Sequence, residues 1–425
     1  MDSGAAPNQK SVFVICKDTF FLARITEVLS DFPDFKFEKA DDLNAFSETA
    51  DTLHPYLFLI DGNLGQGSVQ EWTQTLKMAF DNTPVIVFHS TATPLNFESI
   101  RKNGADQLIH FNFDKEFIIE LLLEIIPYEF PDSQIPLSAL NSIDVGDLSS
   151  ELEINFDVFV HLPFNKKTIL YRKKGATLET DKIKKIEDQD QRLYFKKTEK
   201  KQFLEYARTA LTFANKDYPV AETERALKSK KMIFEIMAEF FSQEGTDFKG
   251  GKLIYDRCRE IVQDYGLLTP HTPQEAFAKV LRYAGQERTF YNEAINLSVF
   301  AAMFGHMLNL DPEQIKSLAL AGLLHNIGLS YVDNFELQTD IATLSQDQLT
   351  TYYSYPDKSV SMIKSKKVPL PPLVADTIIE HRENMDGSGF PNHISATIKP
   401  LSRILRIAYE FQTMTALTKN QNKRT

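Results

Sequence analysis

The chain has 425 residues, a formal net charge of −11, 43% hydrophobic residues and 25% charged residues. That length exceeds one ordinary core, so about two or three domains are expected. The acidic balance argues against a general nucleic-acid footprint, and no apolar run reaches the roughly 18 residues that read as a membrane span.

The N-terminus MDSGAAPNQK lacks the basic-then-apolar pattern of a secretory signal. Two cysteines, Cys16 and Cys258, cannot build a disulfide framework. A cytoplasmic protein is the expectation. The basic runs KKGATLETDKIKK and FKKTEKK are mixed with acids and read as a solvated face.

In chain order, SVFVI (11–15), YLFLID (56–61), PVIVFHS (84–90) and QLIHF (107–111) read as strands. Between and after them, 21–32, 69–80, 97–104 and 114–126 have helical spacing. Continuous apolar strands alternating with helices predict a parallel sheet covered on both faces, a doubly wound α/β domain over 1–127. Residues 128–151, rich in Pro, Ser and Asp, read as a linker. In EINFDVFVHLP, Ile154, Phe156, Val158, Val160 and Leu162 alternate with mostly polar residues, as in a half-buried strand. With a turn at 164–167, a strand in TILYRKKG, a helix in DKIKKIEDQ and a strand in QRLYFKK, they predict a small α+β module over 152–205.

From 206 to 425 helical patterns dominate. Asp311, Pro312 and Gln314 have the spacing of a capping box that opens a helix. Ile315, Leu318, Gly322 and His325 then share one face. Val374, Ile378 and His381 repeat the arrangement, and a loop follows at Asp386, Gly387, Ser388, Gly389, Phe390 and Pro391. A last amphipathic helix is expected over 400–417.

The stretches LLHNIG, HRENMDGSGFP and SRILRIAYEFQTMT, in that order, resemble the HD-GYP domain family over roughly 285–418. The resemblance implies an all-helical domain, and for active members metal-dependent hydrolysis of the second messenger cyclic di-GMP. Phe390 stands where the family has tyrosine. The family's metal-binding positions fall on Glu293, His325, Asn326, Tyr355, His381, Arg382 and Gln412, and its HD-motif lysine falls on Leu329.

Closely spaced divalent ions, about 3.5–4 Å apart, need anionic oxygens to bridge them. Asn326 and Gln412 are neutral, Leu329 is inert, and Arg382 brings a cation. Two like charges about 4 Å apart repel by about 4 kcal/mol at an effective dielectric near 20. A degenerate, catalytically inactive site with no cofactor is therefore expected, with Glu293, His325 and His381 the only residual metal ligands. The two histidines would be core residues, their ring nitrogens satisfied by a backbone group or by the amides of Asn326 and Gln412.

Over about 11–127 the sequence resembles a response-regulator receiver. Asp61 occupies the phospho-acceptor position, the Mg²⁺-holding acidic pair falls on Cys16 and Lys17, the hydroxyl position on His89, and the lysine after the last strand on Phe111. Mg²⁺ wants several carboxylate or water oxygens in near-octahedral array, so a pseudo-receiver is expected. Lys17 is the candidate partner for Asp61.

The reading that follows is a signalling scaffold, with the 386–391 loop as partner-binding surface. By resemblance the partner is a diguanylate cyclase domain, and receiver likeness suggests a homodimer. The alternatives are a cyclic di-GMP sensor using Arg382, Arg403 and Arg406, and a phosphodiesterase with a reduced metal site.

Overall fold

The computed structural model describes residues 9–91, 93–111, 115–131, 135–162, 167–182, 185, 192–213, 222–242, 245–266, 290–332 and 340–415. Strands β1 (Lys10–Ile15), β2 (Phe35–Ala40), β3 (Pro55–Asp61), β4 (Val85–His89) and β5 (Gln107–His110) form one sheet in the order β2-β1-β3-β4-β5. Every pairing is parallel. Helices α1 (Thr19–Val28), α2 (Leu43–Thr49), α3 (Gln66–Ala79), α4 (Phe97–Lys102) and α5 (Lys115–Ile125) connect and cover it. Val12, Val14, Leu57, Leu59, Ile86 and Phe88 belong to one core. Their alternates Phe13, Ile15, Phe58, Ile60, Val85 and Val87 belong to a second. Burial of both faces is why these strands read as unbroken apolar runs.

The doubly wound expectation therefore holds, and β2 and α2 are additions to it. β2 lies at the sheet edge with no fully buried residue, so its sequence, FKFEKA, carries no apolar run.

Two expected boundaries need correction. The segment read as a linker over 128–151 contains β6 (Leu140–Ile143), which pairs antiparallel with β9 (Leu193–Lys196). Together with β7 (Val158–Leu162) and β8 (Lys167–Arg172) they form a four-stranded sheet in the order β6-β9-β7-β8. β6 exists because its backbone completes a ladder and Leu140 and Ile143 are buried; four residues are too few for a periodic signal.

Helix α6 (Lys200–Phe213) also crosses the expected boundary at 205. Phe203, Tyr206, Ala207 and Ala210 pack into the same core as Phe156 and Phe195, so α6 belongs to the module. The turn expected at 164–167 and the helix expected over 181–189 lie mostly outside the described residues.

The helical region comprises α7 (Glu222–Phe241), α8 (Phe248–Gly266), α9 (Phe290–Met307), α10 (Pro312–Leu324), α11 (Gln346–Tyr353), α12 (Tyr355–Ser365), α13 (Pro372–Glu380) and α14 (Pro400–Thr415) among the described residues. The Asp311 carboxylate accepts from the amides of Glu313 and Gln314, both at 3.0 Å, and Gln314 closes the expected capping box. Gly322 is required by close packing: a Cβ there would lie 2.7 Å from the backbone nitrogen of Ser298 on α9. Among the described residues no helix is long and apolar enough to cross a membrane.

Candidate functional site

α10 and α13 each end at a histidine, and the two imidazoles meet. His325 follows α10 and His381 follows α13; their ring centroids are 5.3 Å apart in an edge-to-face arrangement. Nδ1 of His325 lies 2.7 Å from the Gly322 carbonyl, and Nδ1 of His381 lies 2.5 Å from the Ile378 carbonyl. A carbonyl only accepts, so both Nδ1 atoms carry the proton. In a neutral ring Nε2 is then the acceptor.

For His381 that acceptor is already engaged. The Tyr355 hydroxyl, at the first residue of α12, lies 2.8 Å from His381 Nε2 and donates to it. Burial keeps His381 well below the ordinary imidazole range, with His325 and Arg382 adding to the effect. Burial likewise pushes the Tyr355 phenol well above its ordinary range. The pair is therefore a neutral phenol bonded to a neutral imidazole.

Beside them the Arg382 guanidinium sits 4.2 Å from the ring centroid of Tyr409 and 4.9 Å from that of Phe390. Such stacking stabilises a cation on the ring faces. Tyr409, on α14, also contacts both histidine rings, at 5.8 and 5.9 Å. Sequence reading had not singled out Tyr409. Its only signal was its place three residues before Gln412 on the inward face of the last helix.

Glu293, His325, Asn326, Leu329, Tyr355, His381 and Gln412 are all buried, whereas Arg382 is half-buried. Asn326 donates through Nδ2 to the Phe290 carbonyl at 3.1 Å. Leu329 packs in a cluster with Phe290, Val332, Tyr352 and Tyr355. Of the two expected kinds of partner, the backbone group is the one met at Nδ1 of both histidines, and at Nε2 of His381 a phenol stands in place of the amides of Asn326 and Gln412. Helix-end carbonyls and a phenol take that role, because each histidine ends a helix with an open carbonyl one turn behind it.

Residues 284–425 match a family model described as HD domain. The match takes in α9 to α14 and about a third of the chain. No curated protein matches the chain. Among solved structures it is similar to Bd1817, a HDG"Y"P protein from Bdellovibrio bacteriovorus, at 20% identity and a TM-score of 0.40, over 64% of this chain and 86% of that one. The N-terminal part is similar to the receiver domain of a response regulator from Bacteroides fragilis, at 17% identity and a TM-score of 0.23, over 28% of this chain and 96% of that one. It is also similar to the receiver domain of the sensor histidine kinase PA1611 from Pseudomonas aeruginosa, at 12% identity and a TM-score of 0.25, over 28% and 99%.

The donor set around His325 and His381 does not fit a cluster of divalent metals. Nε2 of His381 is taken by a phenol hydrogen, and a guanidinium lies beside it. Among the described residues no three His, Cys, Asp or Glu side chains are grouped so as to hold a metal ion. Glu293, His325 and His381, the expected residual set, are not such a group.

The loop after His381 is tied down from within. Ser388 donates through N and Oγ to Asp386 Oδ1 at 2.9 and 2.6 Å, and the Phe390 amide donates to the Arg382 carbonyl at 3.2 Å. Phe390 is half-buried and its ring meets those of Tyr352, Tyr353 and Tyr355, at 5.7, 5.1 and 6.0 Å. The outward residues of this loop are Asp386 and Ser388, with Met385 just before them.

At the other end of the chain, Asp61 is buried at the end of β3 and accepts from the Asn63 amide at 2.9 Å. Burial raises its pKa. Lys17 is exposed, and among the described residues no ion pair joins it to Asp61, which corrects that expectation. The lysine lies past the end of β1, and its carbonyl is met by Lys39 Nζ at 3.4 Å. Cys16 is buried beneath, its thiol pushed up to about 11 by burial. His89, at the hydroxyl position, is buried 4.5 Å from Phe97 and 5.1 Å from His110. Phe111, at the lysine position, lies 4.2 Å under the Arg24 guanidinium, which donates to the Phe111 carbonyl at 3.0 Å.

Proposed function

We propose that this protein is a non-catalytic signalling scaffold in which a degenerate HD-GYP-type domain is joined to a pseudo-receiver. The hydrogen bond from Tyr355 to Nε2 of His381 carries this reading. It occupies a lone pair that a metal would need, at the position where the family resemblance calls for another histidine. Neutral Asn326 and Gln412 and the cation of Arg382 argue the same way. The partner surface is the loop 386–391 with its outward Asp386 and Ser388, and a diguanylate cyclase domain is the partner class.

The test is elemental analysis of chain purified without chelator, with a cyclic di-GMP hydrolysis assay in added Mn²⁺ or Fe²⁺. Less than one equivalent of metal and no turnover are expected. Two or more equivalents, or turnover abolished by His325→Ala, would overturn the proposal.

One observation favours a second reading, a sensor that binds cyclic di-GMP without cleaving it. Nε and Nη1 of Arg382 have no hydrogen-bond partner among the described residues, and guanidinium groups pair well with phosphate. Arg406 is already paired with Glu410 at 2.5 Å, and Arg403 is exposed. Titration calorimetry with the dinucleotide, using Arg382→Ala as control, separates the readings. Micromolar heat lost in the variant supports the sensor, and no heat supports the scaffold.

A further inference from the structure

The α5 side of the receiver-like domain is already in use. Phe117 of α5 stacks on Phe234 of α7, with centroids 3.8 Å apart and planes 17° apart. Next to that stack Lys230 of α7 reaches Glu116 of α5 at 2.6 Å. Lys197, from the middle module, approaches Glu120 at 3.3 Å and Glu116 at 3.6 Å. Two acids of α5 are thereby shared between two lysines, one from each of the other two regions.

The same domain makes a second contact at the carboxyl ends of its strands. The ring of His110, at the end of β5, lies 4.5 Å from that of Phe241, the last residue of α7. Thr91, just after β4, donates through Oγ1 to the carbonyl of Ser330 at 2.7 Å. Ser330 lies in the 3-10 segment Ile327–Tyr331, which leads directly out of the His325–Asn326 pair. Phe241 in turn meets Phe290 edge-on at 6.5 Å, and Phe290 is the residue whose carbonyl holds Asn326. Apolar residues of both regions belong to one continuous core cluster.

Domains joined by a linker normally move relative to one another unless their interface is large and apolar. Here an aromatic stack, an ionic cluster and a hydroxyl bond hold the same two bodies at separate points. We infer that α5 and the ends of β4 and β5 form an internal latch for α7. The latch holds the receiver-like domain as a fixed wall of the HD domain and closes its α5 face to a second copy of the chain. Opening it would release α7 and the segment behind His325 together. The inference does not depend on whether the HD site turns over, binds a nucleotide or does neither.

The experiment is a charge-exchange cycle in the full chain, read by amide hydrogen exchange. Glu116→Lys places a third cation beside Lys197 and Lys230. Exchange in α7 is expected to rise at least about tenfold, while β1, β3 and β4 keep their protection. Lys230→Glu should do the same from the other side, and the double variant should return α7 towards wild-type protection. Equal exchange in α7 for wild type and both single variants overturns the inference. So does a double variant no better protected than either single one. Loss of strand protection in both single variants also counts against it, because a latch opens without unfolding the domain it holds.

Discussion

The Tyr355 hydroxyl lies 2.8 Å from Nε2 of His381, and both side chains are buried. Since Nδ1 of that ring donates to the Ile378 carbonyl, the phenol is the donor and the ring is neutral. Tyr355→Phe keeps the ring but leaves a buried acceptor without its proton. The expected cost is about 1–3 kcal/mol, read as a lower urea midpoint at unchanged slope. An unchanged midpoint would show that this bond does not hold α12 against α13.

Asn326→Asp is the substitution that brings the sequence nearest to the family's His-Asp pair, and it is expected to fail as a repair. Asn326 Nδ2 donates to the Phe290 carbonyl at 3.1 Å. An aspartate would set acceptor against acceptor and bury a charge with no metal to meet it. A loss of about 3–5 kcal/mol is expected, in line with an uncompensated buried charge. Metal content, measured by elemental analysis, should not rise. A stable variant that gains metal would mean the remaining donors can rearrange into a site.

These two residues also mark what the sequence could and could not disclose. That His325 and His381 face inward was legible, because each sits on the apolar face of its helix, and that they meet was what the family resemblance implied. The partners of their ring nitrogens were not legible. Tyr355 and His381 are 26 residues apart, and no local pattern records a contact of that kind. The parallel sheet was legible for the opposite reason: strands buried on both faces write their burial into consecutive residues. β6 left no such trace, since its place is set by backbone pairing to β9, far along the chain, from Leu140 with Lys196 to Ile143 with Leu193. The contact of His110 with Phe241 was equally hidden, although it joins the two larger regions of the chain.

Asp61 gives a prediction of the opposite sign to most buried-charge removals. Its carboxylate is desolvated, with its pKa raised by burial and further by Asp18, and among the described residues it has no ion-pair partner. An acid whose folded pKa is raised loses stability as pH rises above its unfolded pKa. Asp61→Asn removes the desolvated charge and keeps an oxygen for the Asn63 amide. The variant should therefore be at least as stable as wild type at pH 7, by thermal unfolding. Incubation with acetyl phosphate and Mg²⁺ should leave the intact mass of the wild type unchanged. A phosphate adduct that Asp61→Asn abolishes would show a working switch.

The buried imidazoles of the receiver-like domain should make the protein sensitive to acid. Burial, with Arg101 adding to it, lowers the pKa of His89 to about 3 from an ordinary value of 6.5. Burial also holds His110 well below that value. Between those limits the unfolded chain binds a proton that the folded chain does not, so stability is intact above about pH 6.5 and falls towards pH 3. Each such group contributes a slope of up to about 1.4 kcal/mol per pH unit. Nδ1 of His89 has no hydrogen-bond partner among the described residues. His89→Phe, which keeps an aromatic ring against Phe97, should therefore cost little at pH 7. It should also flatten the loss of urea midpoint between pH 7 and pH 5 without abolishing it, because His110 remains. A variant with the wild-type slope would show that His89 is already charged, or already solvated, in the folded chain.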